Sequence, residues 1–337
     1  RRLAALSREP VDLTGRAPMR ARLVGTGTVL VTAHHLAVDE WSVVPLIDDL
    51  SRAYAARSAG RAPEWVALPV DYADYTRWAY EVLGDPADPA STHARQLDRW
   101  RSALAGLPDR IDLPGARRPV AAASTGRSEL VPVVLDAGTH AAVDELARRT
   151  GTSMFMVFHA ALAALLTGAG AGTDLPIGAL MAGRSEPALA DLVGTFFNTV
   201  VLRTDTSGDP SFGELLGRVR EIDLGALDLQ DLPFDVLEIA PQVMIVHHEE
   251  ARLADVGGPG VRLETPATGA LRAELTLSFY EPADGRPVHC DLEYAADLFD
   301  RAAVAELGER FRRLLTAAVA HPDRPLSRLV DDAERTI

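Results

Sequence analysis

Two histidines stand side by side in Thr32-Ala33-His34-His35-Leu36-Ala37-Val38-Asp39-Glu40-Trp41-Ser42, with an aspartate shortly after them. An imidazole has an ordinary pKa near 6.5, so at pH 7 it is mostly neutral and able to take a proton from an attacking nucleophile. The nearby carboxylate can serve such a base as an acid partner or only as scaffold. A second candidate is Arg184, with Gly183 before it and Gly194 further on. Glycines let the backbone turn sharply and present a guanidinium. The doublet His247-His248-Glu249-Glu250 has the residue types of a metal site. On a strand, however, adjacent side chains face opposite sides, so the two rings do not both turn inward and no metal is expected. Gly168-Ala169-Gly170-Ala171-Gly172 lacks the Lys-Ser/Thr ending of a phosphate-cradling loop.

These residues need elements to hold them. The run Gly27 to Ala33 is β-branched and apolar, which predicts a buried strand with the histidines at its C-terminal end. Trp41, Val44, Leu46, Ile47 and Leu50 recur near helical spacing, so a helix follows towards Tyr54, with Asp39 or Ser42 as its N-cap. A strand-to-helix corner can hold a base rigidly and leave it open to a ligand. Upstream, Pro18 to Val24 reads as the partner strand of a hairpin turning at Gly25-Thr26-Gly27. Two strands do not complete a sheet, so others are expected to cover it. Downstream, the aromatics of Val70 to Tyr80 are expected to pack rather than bind. Helices are further predicted over about 89–104, 138–150, 153–167, 211–227 and 301–321, and strands over 129–135, 175–180, 242–247, 274–280 and 288–294. The 153–167 helix is apolar almost all round and must be buried.

The chain has 337 residues and is 47% hydrophobic, enough for two ordinary domains. The expected division is an N-terminal subdomain over 1–105, a Pro-, Gly- and Arg-rich linker over 106–127 and a C-terminal subdomain over 128–337. Strands and helices alternate without regular spacing, which predicts an α/β class with mixed sheets. A net charge of -14, with every Lys+Arg position an Arg, argues against a nucleic-acid footprint. No apolar run is long enough to span a bilayer, and the first residues lead into Glu9-Pro10-Val11-Asp12 rather than a cleavage site, so neither membrane insertion nor export is expected. Cys290 is the single cysteine, in keeping with a reducing, cytoplasmic setting.

Several separated motifs, in order, resemble the condensation domains of nonribosomal peptide synthetases. They are His34-His35-x-x-x-Asp39-x-Trp41-Ser42, Tyr72-Ala73-Asp74-Tyr75 with Trp78, Ile177-Gly178 through Ala182-Gly183-Arg184, Gly194 with Phe197-Asn198-Thr199, and Gln230-Asp231-Leu232-Pro233-Phe234. The resemblance runs over essentially the whole chain. It implies two chloramphenicol acetyltransferase-like subdomains in a V-shaped pseudo-dimer, with a tunnel open to a carrier protein at each end. Donor and acceptor then arrive as phosphopantetheine thioesters on upstream and downstream peptidyl carrier proteins, beside an adenylation domain. The acceptor amine attacks the donor carbonyl to form a peptide bond, and the domain holds no cofactor of its own. Three departures stand out. The family's first part, with its Arg-His-Glu-x-Leu-Arg segment, has no counterpart here and would supply the strands lacking above. Ile239-Ala240-Pro241 runs into Gln242-Val243-Met244 where the family has further residues. Glu40 replaces the usual Gly, and Leu229 the usual His.

By this resemblance His35 is the catalytic residue, and His34 is mainly structural, its ring packed beneath the site. Asp39 is scaffold, and a buried carboxylate needs a cation, for which Arg184 is the available partner. An Arg from the family's N-terminal segment is the rival. Glu40, Trp41, Ser42 and Asn198 are the candidate tunnel or substrate contacts, although Ser42 also reads as an N-cap and Asn198 as a strand residue. Trp41 before Ser42 resembles the subtype taking an L-configured donor. The alternatives are an ester-forming or epimerizing relative of the same fold, and a catalytically silent platform that recruits partner enzymes. Such platforms usually lose the second histidine, which is present here as His35.

Overall fold

The computed structural model describes residues 2–7, 9–14, 18–108, 110–117, 126–249, 273–282 and 285–335. The chain forms two compact units. The first comprises Arg1–Asp85 and Ala182–Asn198, with Ala251–Thr268 lying outside the described residues; the second comprises Pro86–Met181, Thr199–Glu250 and Gly269–Ile337.

In the first unit α1 (Arg2–Ser7) precedes an antiparallel hairpin of β1 (Met19–Val24) and β2 (Thr28–Ala33). Gly25 turns it at φ +68°, a left-handed conformation that glycine adopts without a Cβ penalty. Among the described residues this is a two-stranded sheet. The 3-10 turn Glu40–Ser42 then leads into α2 (Val43–Ser58), whose Leu50 and Tyr54 are exposed. Asp71 and Asp74 form a capping box that starts α3 (Tyr72–Leu83). Gly84 at φ +73° ends that helix and Pro86 follows it. Tyr72 and Tyr75 pack against Phe196, as the aromatic spacing predicts. Tyr80 does not pack: it is exposed. The core of this unit is small, built on Leu189, Leu192 and Phe196 with Val70 and Tyr75 against them.

The second unit holds the large core. Its six-stranded sheet runs in the order β3 (Ser128–Leu135), β8 (Val288–Ala295), β7 (Leu275–Glu281), β6 (Val243–Glu249), β4 (Asp174–Met181) and β5 (Asn198–Asp205). The β4–β6 and β6–β7 pairs are parallel, whereas β7–β8 and β3–β8 are antiparallel, so the sheet is mixed as expected. Pro132, which has no amide to donate, lies on the edge strand β3. Helices α5 (Ala137–Thr150), α6 (Met154–Gly168), α7 (Phe212–Leu227) and α8 (Arg301–Ala320) pack with this sheet. α6 is buried almost all round from Met154 to Leu166. The sequence reading missed one further helix, α9 (Leu326–Arg335), a short amphipathic segment whose Leu329 is buried and whose Val330 lies against Gly168.

Two boundaries differ from expectation. The unit boundary falls at Asp85–Pro86 rather than near 105, because α4 (Thr92–Ala103) is tied to the segment after α7. Trp100 Nε1 donates to the Leu229 carbonyl at 3.1 Å, and Gln96 exchanges hydrogen bonds with Asp231 and the Leu232 amide. The second difference concerns the 106–127 linker, whose described part is packed. Ile111 and Leu113 are buried, and the Ile111 backbone pairs with the Gln242 side chain at 2.7 and 3.3 Å. Residues 118–125 lie outside the described residues.

Candidate functional site

The site is built where β2 ends, on residues of the first unit alone. His34 follows β2 directly, its amide donating to the Pro18 carbonyl at 2.8 Å and its carbonyl accepting from Ala37 at 2.9 Å. This tight turn throws the two rings into different surroundings. The half-buried His34 ring accepts the Leu36 amide on Nδ1 at 3.1 Å, so in the neutral ring its proton sits on Nε2. The His35 ring is exposed, and its Nδ1 lies 3.0 Å from the Val38 carbonyl. A carbonyl only accepts, so Nδ1 carries the proton and the neutral ring has its lone pair on Nε2. The two neighbouring histidines are thus held as opposite tautomers.

Asp39 is 3% exposed and meets four donors. Its Oδ1 accepts from the Ser42 amide at 2.9 Å, the Ser42 hydroxyl at 2.7 Å and Arg184 Nη2 at 2.9 Å, while Oδ2 accepts from the Phe196 amide at 3.0 Å. The expected Asp39–Arg184 ion pair is formed, and both side chains are almost wholly out of solvent. Arg184 uses both terminal nitrogens of its planar fork, while its buried Nε has no hydrogen-bond partner among the described residues: Nη1 donates to the carbonyls of Leu189 at 2.6 Å and Leu192 at 2.8 Å, and Nη2 also reaches the Ser42 hydroxyl at 2.9 Å. The guanidinium carbon stands 4.0 Å over the Phe196 ring, adding a cation–π contact. Such pairing is what a buried charge pair requires.

Two glycines make this close approach possible. At Gly183, φ is +65° and a Cβ would lie 1.9 Å from the Phe196 carbonyl oxygen. At Gly194 a Cβ would meet the Tyr72 ring at 2.4 Å. Tyr72 in turn donates to the Thr195 carbonyl at 2.6 Å, and burial pushes its hydroxyl above the ordinary range.

Ser42 is the residue whose expected place changes. It is fully buried, and its hydroxyl lies among Asp39, Arg184 and both backbone atoms of Gly194, at 3.0 Å from the amide and 2.8 Å from the carbonyl. A hydroxyl donates once and accepts twice, so these partners use it up and none of it is presented to a ligand. Nor does its side chain cap α2; the side-chain cap here is Asp39, on the 3-10 turn. Glu40 and Trp41 are half-buried on that turn, and Asn198 is half-buried at the start of β5.

Sequence reasoning did not find the segment Thr195–Phe197 in its role around His35. Thr195 Oγ1 donates to the His35 carbonyl, and the Phe197 ring lies 4.8 Å from the His35 ring. The usable signal was alternation, with Phe196 turned to Arg184 and its neighbours turned to His35. The Val38 carbonyl carries no side-chain signature at all. The His247-His248 doublet behaves as strand geometry requires: His247 stacks on Phe279 and His248 on Tyr280, neighbours that alternate across the sheet. Among the described residues no group of three or more His, Cys, Asp or Glu is placed to hold a metal. No single described helix is long and apolar enough to cross a membrane.

Comparison with known proteins bears on this geometry. The family model described as "Condensation domain" matches residues 2–336. The chain is 44% identical to a probable non-canonical nonribosomal peptide synthetase, CymA, of Salinispora arenicola, over 96% of this chain and 4% of the relative. It is 43% identical to a dimodular nonribosomal peptide synthase of Bacillus subtilis, over 97% of this chain and 15% of the relative. The chain therefore spans only a small part of the curated relatives it matches. Among solved structures, the X-domain from teicoplanin biosynthesis superposes with a TM-score of 0.85 at 33% identity, over 97% of this chain and 77% of that one. The same X-domain is also known in complex with OxyB, matching at 34% identity, TM-score 0.85, over 97% of this chain and 76% of that one.

Proposed function

The chain belongs to the condensation-domain family of nonribosomal peptide synthetases, and from that premise we propose that it joins a donor acyl or peptidyl thioester to the amine of an acceptor aminoacyl thioester. The observation that carries this reading is the exposed His35 ring, whose Nδ1–H is engaged by the Val38 carbonyl so that Nε2 offers its lone pair. In the proposed step the acceptor nitrogen attacks the donor carbonyl and gives its proton to Nε2. Collapse of the tetrahedral intermediate breaks the C–S bond, and the released phosphopantetheine thiolate takes the proton held on Nε2, returning His35 to its neutral form. Thioesters are already activated, so holding two tethered reactants together supplies much of the acceleration. The donor in this reading has the L configuration. The partners are an upstream and a downstream peptidyl carrier protein with a neighbouring adenylation domain, in the cytoplasm. The chemistry draws on phosphopantetheine as the substrates' tether, and on no cofactor held by the chain.

The supporting residues divide the labour. Asp39 and Arg184 fix the corner that follows His35, and His34 fixes the turn that contains it. The decisive experiment is peptide formation from two loaded carrier proteins, with His35→Ala alongside. General-base catalysis is worth about 100-fold or more, so the variant's rate should fall by at least that factor. Parental yield in the variant would remove His35 from the mechanism.

A second reading has one observation in its favour. The similar X-domain is known in a complex with OxyB, so a platform that recruits a partner enzyme is the rival. Failure of the parent chain to form product from several loaded pairs, together with specific binding of a partner enzyme, would select that rival.

A further inference from the structure

The segment Gly194–Phe197 has two sides with different tasks. On one side, the Phe196 ring underlies Arg184 and the Phe196 amide meets Asp39 Oδ2 at 3.0 Å. On the other, Thr195 Oγ1 donates to the His35 carbonyl and the Phe197 ring lies against the His35 ring, 4.8 Å between centroids and tilted by 35°. Tyr72 OH holds the Thr195 carbonyl from α3 at 2.6 Å. The support of the corner and the aim of the imidazole therefore come from one stretch of backbone.

We infer that Thr195 and Phe197 are positioning residues for His35. Thr195 holds the His35 backbone, and Phe197 holds the ring in the plane in which Nδ1–H reaches the Val38 carbonyl. Without both, the ring turns about its side-chain bonds, the Val38 bond is lost and the proton redistributes between the two nitrogens. A neutral ring with its proton on Nε2 has no lone pair there for an incoming amine. The His35 backbone is held by hydrogen bonding and its ring by packing, and a residue acting only in the core would not need to place its ring against an exposed imidazole. As to consequences for peptide formation, the inference rests on the proposed role of His35.

The test uses Thr195→Val, Thr195→Ser, Phe197→Leu and Phe197→Tyr in the protein that carries the chain, labelled with 15N-histidine. Nitrogen shifts report the tautomer of His35 directly, assigned by its loss in His35→Ala, and they need no turnover. In the parent the neutral His35 ring should appear as one species with Nδ1 protonated. Thr195→Val and Phe197→Leu should show a mixture of both tautomers, with kcat for peptide formation reduced about 10- to 100-fold and KM unchanged. Thr195→Ser and Phe197→Tyr, which keep the hydroxyl and the ring, should restore the single species and the rate. A parental His35 spectrum in both Thr195→Val and Phe197→Leu overturns the inference, whether or not kcat falls, because any loss then arises elsewhere. A parent that makes no peptide defeats the proposed function instead, while the nitrogen spectra still decide whether Thr195 and Phe197 position His35.

Discussion

Removing the charge of Arg184 isolates the energetic centre of the first unit. In Arg184→Met the Asp39 carboxylate stays buried but loses its cation, and the side chains concerned are 6% and 0% exposed in the parent. Breaking such a pair from one side costs about 3–5 kcal/mol, because the remaining charge is desolvated without compensation. The Leu189 and Leu192 carbonyls lose their Nη1 donor as well. That loss is coupled to the first and does not simply add to it. Natural domains are stable by about 5–15 kcal/mol, and the core of this unit is small, so the variant should unfold a large part of it. The assay is urea unfolding followed by tryptophan fluorescence, since Trp41, Trp65 and Trp78 all lie in this unit. Arg184→Lys retains charge without the fork and should fall between parent and Met variant. Asp39→Asn combined with Arg184→Met should be less damaging than the two single changes summed, by about 1–3 kcal/mol, since the double variant buries no unpaired charge. A Met variant within about 0.5 kcal/mol of the parent, or strict additivity in the cycle, would refute the claim that the ion pair organises this unit.

Gly183→Ala and Gly194→Ala should each destabilise the first unit severely, seen as a lowered urea midpoint, because their Cβ atoms would lie 1.9 Å from Phe196 O and 2.4 Å from the Tyr72 ring. Gly25→Ala, left-handed but in open space, should cost only about 1 kcal/mol. Burial, reinforced by the charge of Asp291, pushes the Cys290 thiol well above its ordinary range. It should therefore resist a thiol reagent at pH 8 in the folded protein and react fully once unfolded. The hydrogen bond from His247, reinforced by its charge, holds the Glu281 carboxyl below an ordinary 4.5. A depressed folded value means stability that is present above the unfolded value and is lost as pH falls through the folded one. Glu281→Gln should accordingly lessen the drop in urea midpoint between pH 6 and the acid side of 4.5; an unchanged drop would count against the pairing.

How far the sequence could be read follows the physical range of each signal. Local signals were legible. Hairpin β1–β2 follows from glycines between an alternating and an apolar run, although the burial expected of β2 is confined to Leu30, and the buried α6 follows from an apolar surface without a polar face. Opposite facing of His247 and His248 follows from strand period alone. Non-local partnerships were harder. The linker read from Pro, Gly and Arg composition misjudged Ile111 and Leu113, which are buried in the core, with the Ile111 backbone bonded to Gln242 far along the chain. Helix α4 belongs with the second unit because of Leu229 to Leu232, which no local pattern announces.

The site shows the same division. Residue types alone determined that a histidine of the pair is the base to consider and that Asp39 needs a cation, since a carboxylate buried without one is costly whatever the fold, while the choice of His35 came from the family resemblance. Folding then decided which histidine is exposed, which tautomer each holds, and that Ser42 is consumed inside the site rather than offered to a ligand. Those outcomes depend on backbone carbonyls and amides at Val38, Leu36 and Gly194. Every residue has these groups, so only their placement in three dimensions distinguishes them.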